Sequence, residues 1–227
     1  MISHHLPHQA TTFIGRDREL SELAELLADP ACRLLTLVGP GGIGKTRLAI
    51  QAATSQHAHF AHGVAFVALA PIVSADFLPS AIGDALDIAF LGAEEPLFQI
   101  MCYLRDKQLL LVMDNFEHLF TGVGYLAELL QAAPRLKILA TSRERLNLRE
   151  EWVLALDGLA YPTESLADAA ERYRAESYSA VQLFVQRARG RSNIISRWVM
   201  ICRPSYRSVA KSRGCRWGWS WPPVGCG

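Results

Sequence analysis

The chain has 227 residues, of which 50% are hydrophobic and 20% charged, with a formal net charge of +1. That balance fits a folded globular protein and excludes a disordered one, and no run nears the ~18 consecutive apolar residues of a membrane span. Cys32, Cys102, Cys202, Cys215 and Cys226 are scattered, odd in number and without metal spacing, which points to reduced thiols in a cytoplasmic protein.

In chain order, residues 1–10 read as a disordered leader, with neither the basic start nor the apolar stretch of a signal peptide. Its His4, His5 and His8, like His57, His59 and His62 further on, read as solvated side chains, with metal binding as the alternative. Leu20, Leu23, Leu26 and Leu27 form the apolar stripe of a first helix. The apolar run Leu34–Val38 is a strand. It opens directly onto Gly39-Pro40-Gly41-Gly42-Ile43-Gly44-Lys45-Thr46, a complete G-x-x-x-x-G-K-[ST] phosphate loop, with a helix expected from near Thr46. The glycines let successive N–H groups turn inward as a nest for anionic oxygens, and the helix start adds partial positive charge. Lys45 would reach the β- and γ-phosphates, and the Thr46 hydroxyl would ligate Mg²⁺. A glycine-rich loop matching by chance is the alternative, against which the flanking strand and helix weigh.

The remaining apolar runs are Val64–Leu69, Leu109–Met113, Lys137–Thr141 and Trp152–Leu156. Short runs of β-formers separated by helix-length stretches predict an α/β fold, a parallel five-stranded sheet between helices. Leu97, Ile100, Met101 and Leu104 recur at helical spacing behind Pro96, and Tyr125, Leu126, Leu129 and Leu130 ahead of Pro134. Val181, Phe184, Val185 and Ala188 make a last stripe, with Ser177 as its expected cap. These stripes are core faces and carry no chemistry. In sequence, Val64–Leu69 falls between the loop strand and the strand ending at Asp114. That ordering belongs to P-loop ATPases with an inserted strand, not to nucleotide kinases or small GTPases.

Two more strand ends carry chemistry. Leu109–Met113 delivers Asp114 to the carboxyl edge of the sheet, where ligands of open α/β folds sit. Its carboxylate could hold Mg²⁺ directly or through water; a helix cap is the other use. Ile138-Leu139-Ala140-Thr141-Ser142-Arg143 brings a polar pair and a guanidinium to the same rim. The planar fork of Arg143 suits a γ-phosphate, whereas the charged sequel Glu144-Arg145 fits an arginine that merely opens a surface loop.

Four segments together resemble a family. They are Phe13-Ile14-Gly15-Arg16-Asp17-Arg18-Glu19-Leu20, the loop continued through Arg47-Leu48-Ala49, Leu110-Leu111-Val112-Met113-Asp114-Asn115-Phe116-Glu117-His118-Leu119, and Ala140 to Leu146. In this order they resemble the NB-ARC-type STAND ATPases, AAA+-related switch proteins. Those occur in bacterial LuxR-type and other large transcriptional regulators, plant disease-resistance proteins and apoptosome scaffolds. The resemblance runs over residues 11–190 or so.

It implies ATP or ADP with Mg²⁺ as cofactors, and catalytic roles for Lys45, Asp114 and Arg143, the last as the sensor arginine near the γ-phosphate. Thr46 and Asp114 would be the metal ligands. Nucleotide contacts are implied for Gly39, Pro40, Gly41, Gly42, Ile43, Gly44, Lys45, Thr46 and Arg47, with Ile14, Gly15 and Arg16 lining the adenine and ribose side. Residues 11–160 would be the P-loop NTPase domain and 161–190 the start of a helical subdomain. Leu156 to Leu159 with Pro162 resemble the passage into it, and Ala180 to Phe184 its first helix.

Two departures from the family pattern shape the expected function. Asn115 stands where many hydrolysing relatives carry a carboxylate, and an amide cannot take a proton from the attacking water. Glu117 is expected to help the next helix start. Slow turnover follows as an expectation, with the nucleotide state acting as a switch. After Arg189 the pattern stops. Residues 1–190 carry 16 basic and 22 acidic residues, whereas 191–227 carry seven basic residues, no acidic one and four of the five tryptophans. That tail has the composition of a shifted reading frame and is expected not to be natively folded, the native product being longer; nucleic-acid binding through charge and stacking is its alternative reading. The expected function is therefore an ATP/ADP-binding signalling switch, a piece of a larger regulatory protein. Its protein partners or self-association would run through domains absent from this chain, without direct nucleic-acid or membrane binding. A continuously turning-over P-loop ATPase and a non-signalling truncated fragment are the rivals.

Overall fold

The computed structural model describes residues 6–161 and 178–189; Ser177, Pro162 and the basic tail lie outside the described residues. The chain divides into two compact units, one up to Gly158 and one from Leu159. In the first unit, five parallel strands form a sheet: β1 Leu34–Val38, β2 Val64–Ala68, β3 Leu110–Asp114, β4 Lys137–Ser142 and β5 Glu151–Ala155. Each lies within a residue of the apolar run that predicts it. Their spatial order is β2-β3-β4-β1-β5. The strand inserted between the loop strand and the Asp114 strand is thus β4, although β2 intervenes in sequence.

Alternation along the strands builds two cores. Leu34, Ala65, Val67, Leu111, Met113, Ile138 and Ala140 face one layer of helices, α3 Leu78–Ala85, α4 Pro96–Leu104 and α5 Val123–Ala132. Leu35, Leu37, Leu110, Val112, Leu139 and Leu154 face the other, α1 Asp17–Ala28 and α2 Lys45–Gln56. Both faces of a parallel sheet are covered, so its central strands are mostly apolar on both sides, with Thr36 in β1 and Thr141 and Ser142 at the end of β4 as buried polar exceptions. In α4, Pro96 occupies the first turn, where its missing N–H costs nothing, and Leu97, Ile100 and Leu104 are buried.

Helix α3 has no counterpart in the sequence reading. It has eight residues, Pro79 in its first turn and Gly83 near its end. Gly83 is there for space: a β-carbon would lie 2.2 Å from Phe90 Cζ.

The amino edge of the sheet is held by cations at helix ends. Arg33 Nη2 donates to the carbonyls of Leu130 and Ala133 at the end of α5, and Lys137 Nζ to those of Asp29 and Cys32 just past α1. Last-turn carbonyls lack intrahelical partners, and a cation there also opposes the negative end of the dipole. His62 Nδ1 accepts the Gln108 N–H at 2.9 Å along the same edge.

In the second unit, the described helix α6, Ser179–Arg189, opens with the Val181 and Gln182 N–H groups both bonding to the Tyr178 carbonyl at 3.0 Å.

Candidate nucleotide site

All five strands run the same way, so their carboxyl ends form one rim, and the predicted site residues leave from it. β1 stops at Val38 and the chain turns through residues 39–44 into α2, which starts at Lys45. Gly42 and Gly44 have φ of 77° and 99°, left-handed values that side chains resist, and a β-carbon on either would meet nothing within 4 Å. The loop is therefore an open cradle of backbone N–H groups at a helix N-terminus. The buried Lys45 curls back into it, its Nζ donating to the carbonyls of Gly39 at 2.7 Å and Pro40 at 3.1 Å. Thr46 is exposed beside it. An arc of donors with one cation at its centre suits a chain of phosphate oxygens.

Asp114 closes β3 and is half-buried. Its Oδ1 accepts the Thr141 hydroxyl at 2.7 Å, and Thr141 Oγ1 in turn accepts the Asn115 N–H at 2.9 Å. One buried hydroxyl from β4 thus fixes both the carboxylate and the turn after it. Nothing in the local sequence signals this role, because the partners are 26 and 27 positions apart. Hard oxygen donors such as the Thr46 hydroxyl and the Asp114 carboxylate suit Mg²⁺, which when bound would neutralise phosphate charge.

Arg143 leaves β4 between the other two. Its Nε donates to Glu117 Oε1 at 2.9 Å, and a β-carbon placed on Gly41 would lie 3.6 Å from its Nη2. The guanidinium therefore rests against the phosphate loop. Glu117 lies in a 3₁₀ turn, Phe116–His118, and is engaged by Arg143; it is this ion pair, rather than the start of a following helix, that occupies its carboxylate. Asn115 enters that turn at φ 70°. His118 Nε2 lies 2.9 Å from the Ile72 carbonyl and Nδ1 3.4 Å from Asn115 Nδ2, the pattern of an imidazole with its proton on Nε2.

The side chains of Arg16 and Arg47 are engaged within the protein. Arg16 is buried at φ 66°, and its guanidinium donates to Glu19 Oε1 at 2.6 Å, the Ile43 carbonyl at 3.1 Å and the Asp157 carbonyl at 2.7 Å. It fastens the loop to the segments before α1 and after β5. Arg47 turns from the loop: its Nη2 donates to the Thr11 and Thr12 carbonyls at 2.5 and 2.6 Å, and its guanidinium sits 5.9 Å from the centre of the Phe13 ring. Ile14 and Gly15 lie between these two anchors and are half-buried.

Comparison with known proteins agrees with this geometry. The family model described as the NB-ARC domain matches residues 16–147. An uncharacterized protein of Mycobacterium tuberculosis is 31% identical over 189 residues, which is 83% of this chain and 44% of that protein. A protein of the same species, named as a candidate HTH-type transcriptional regulator, is 36% identical over 151 residues, 66% of this chain and 16% of its own length. The chain thus spans less than half the length of these relatives. Among solved structures, the ADP form of the ORC2 protein of Aeropyrum pernix superposes with a TM-score of 0.52 at 17% identity, covering 82% of this chain and 55% of that one. A STAND protein with a tetratricopeptide repeat sensor from Pyrococcus horikoshii does so at 0.50 and 19%, covering 85% and 28%. These distant likenesses establish the fold. No described helix is long and apolar enough to cross a membrane. With its phosphate loop intact and the family pattern running from Arg16 to Asn147, this chain belongs to the NB-ARC family of nucleotide-binding P-loop ATPase domains.

Proposed function

We propose that the chain is the ATP/ADP-binding switch of a larger cytoplasmic regulatory protein of the STAND class, binding nucleotide with Mg²⁺ and hydrolysing ATP slowly. The observation that carries the reading is the convergence of the Lys45 loop, the Thr141-fixed Asp114 and Arg143 on one rim. Lys45 and residues 39–46 hold the phosphates, Thr46 and Asp114 the metal, and Arg143 reads the γ-phosphate. Slow turnover is supported by Asn115, which cannot act as a base. The named HTH-type relative supports a role in transcriptional regulation, with residues 161–190 beginning a helical subdomain and partners engaged through further domains.

Identifying the nucleotide that co-purifies, with phosphate release measured alongside, tests the reading. Bound ADP and very slow release are expected; rapid steady release would mean a continuously working ATPase. Lys45→Ala should weaken ADP binding at least about tenfold, because a charge-assisted contact contributes roughly 1.5–3 kcal/mol. Equal affinity in variant and wild type would place the nucleotide elsewhere.

A further inference from the structure

We infer that Glu117 is the positioning residue of Arg143, holding its guanidinium over the phosphate loop so that nucleotides with and without a γ-phosphate are told apart. This rests on the nucleotide-site reading above and extends it to a residue that the loop motif does not include.

The Arg143 side chain is 64% exposed, so the core does not fix it, yet its Nε is bound to Glu117 and its Nη2 edge faces Gly41. A long side chain that must be immobilised before it can serve a ligand loses rotamer freedom on binding. Glu117 imposes that loss in advance. It uses the Nε edge of the fork and leaves the two Nη groups for paired contacts to phosphate oxygens. The carboxylate is itself firmly placed. Its turn is anchored on one side by the fully buried Phe116 and on the other by His118 against the Ile72 carbonyl.

An exposed ion pair would contribute little. This one differs because Glu117 is only 15% exposed and its Oε2 is buried without a hydrogen-bond partner among the described residues. A carboxylate so withdrawn from water depends on the Arg143 cation beside it, which ties the two side chains into one unit.

Affinities for ADP and for a non-hydrolysable ATP analogue, both with Mg²⁺, should be measured by calorimetry in wild type, Glu117→Ala, Arg143→Ala and the double variant. Glu117→Ala should weaken the ATP analogue about tenfold and leave ADP unchanged, the ADP value confirming that the protein is folded. Arg143→Ala should do the same, and the double variant should be no weaker than Arg143→Ala alone, as for two residues acting through one contact. Glu117→Gln keeps the side-chain volume and carries the same test should Glu117→Ala fail to fold; it should weaken the analogue in the same direction. Unchanged analogue affinity, or additive losses, would overturn the inference. A tighter analogue in Glu117→Ala would also overturn it, showing that the carboxylate competes with the phosphate. If Lys45→Ala leaves ADP binding intact, the nucleotide-site reading fails as well; if it abolishes binding while Glu117→Ala changes nothing, only the role of Glu117 is lost.

Discussion

Thr141 serves two neighbours with one hydroxyl, donating to Asp114 and accepting from the Asn115 N–H. Thr141→Val keeps the shape and removes both contacts, leaving the partly buried Asn115 N–H unpaired at a cost of about 1 kcal/mol. Denaturant unfolding should show that loss, and the gain in ADP affinity on adding Mg²⁺ should shrink because Asp114 is no longer aimed. An unchanged Mg²⁺ gain would show that Asp114 needs no such support. At the amino edge, burial pushes the Cys32 thiol from about 9 up to about 11, against the pull of the Lys137 charge. A group whose folded value is raised contributes stability that is complete below its unfolded value and lost as pH climbs through the folded one. Wild type should therefore lose more stability than Cys32→Ala between pH 9 and 11. Lys137, lowered by burial and present in both proteins, works in the opposite sense. Parallel unfolding curves across that range would mean that the thiol does not titrate in the folded state.

Among the elements, α3 is the one that local pattern conceals. Pro79 and Gly83 lower its helix signal, eight residues carry little periodicity, and the ring that makes Gly83 necessary belongs to Phe90. Gly83→Ala improves helix propensity by roughly 1 kcal/mol but forces the Phe90 ring aside. We expect a net loss of about 1–2 kcal/mol in urea unfolding, relieved by Phe90→Leu in the same chain. A stabilised Gly83→Ala would show that the ring moves freely. The strands, by contrast, were legible because covered parallel strands are short apolar runs, and the rim position of Lys45, Asp114 and Arg143 follows from the strands' common direction. What local sequence could not reveal is where long side chains go. Arg16 and Arg47 adjoin motif residues yet donate to backbone carbonyls 27 to 141 positions away, and Glu117 meets Arg143 across 26. Such pairings are decided by how the loops close over the rim. Nothing in the spacing of the motifs encodes them.

At the scale of the whole sheet, β4 lies between the strand that bears the loop and the strand that ends in Asp114. Neighbouring strands are ~4.8 Å apart, so the ends of β1 and β3 stand about 9–10 Å apart, with Thr141 and Arg143 rising from the strand between them. Both flanks are hydrogen-bonded to β4 along its length, which keeps that separation from drifting. ADP should consequently raise the melting temperature further when Mg²⁺ is added, while inorganic phosphate should gain nothing from the metal. Equal Mg²⁺ gains for both would show that one anion can reach the loop and the carboxylate together. Under the nucleotide reading proposed above, the inserted strand would act as a spacer that sets a minimum ligand length. Before any base or sugar is inspected, such a rim would sort polyphosphate tails from single anions by span alone.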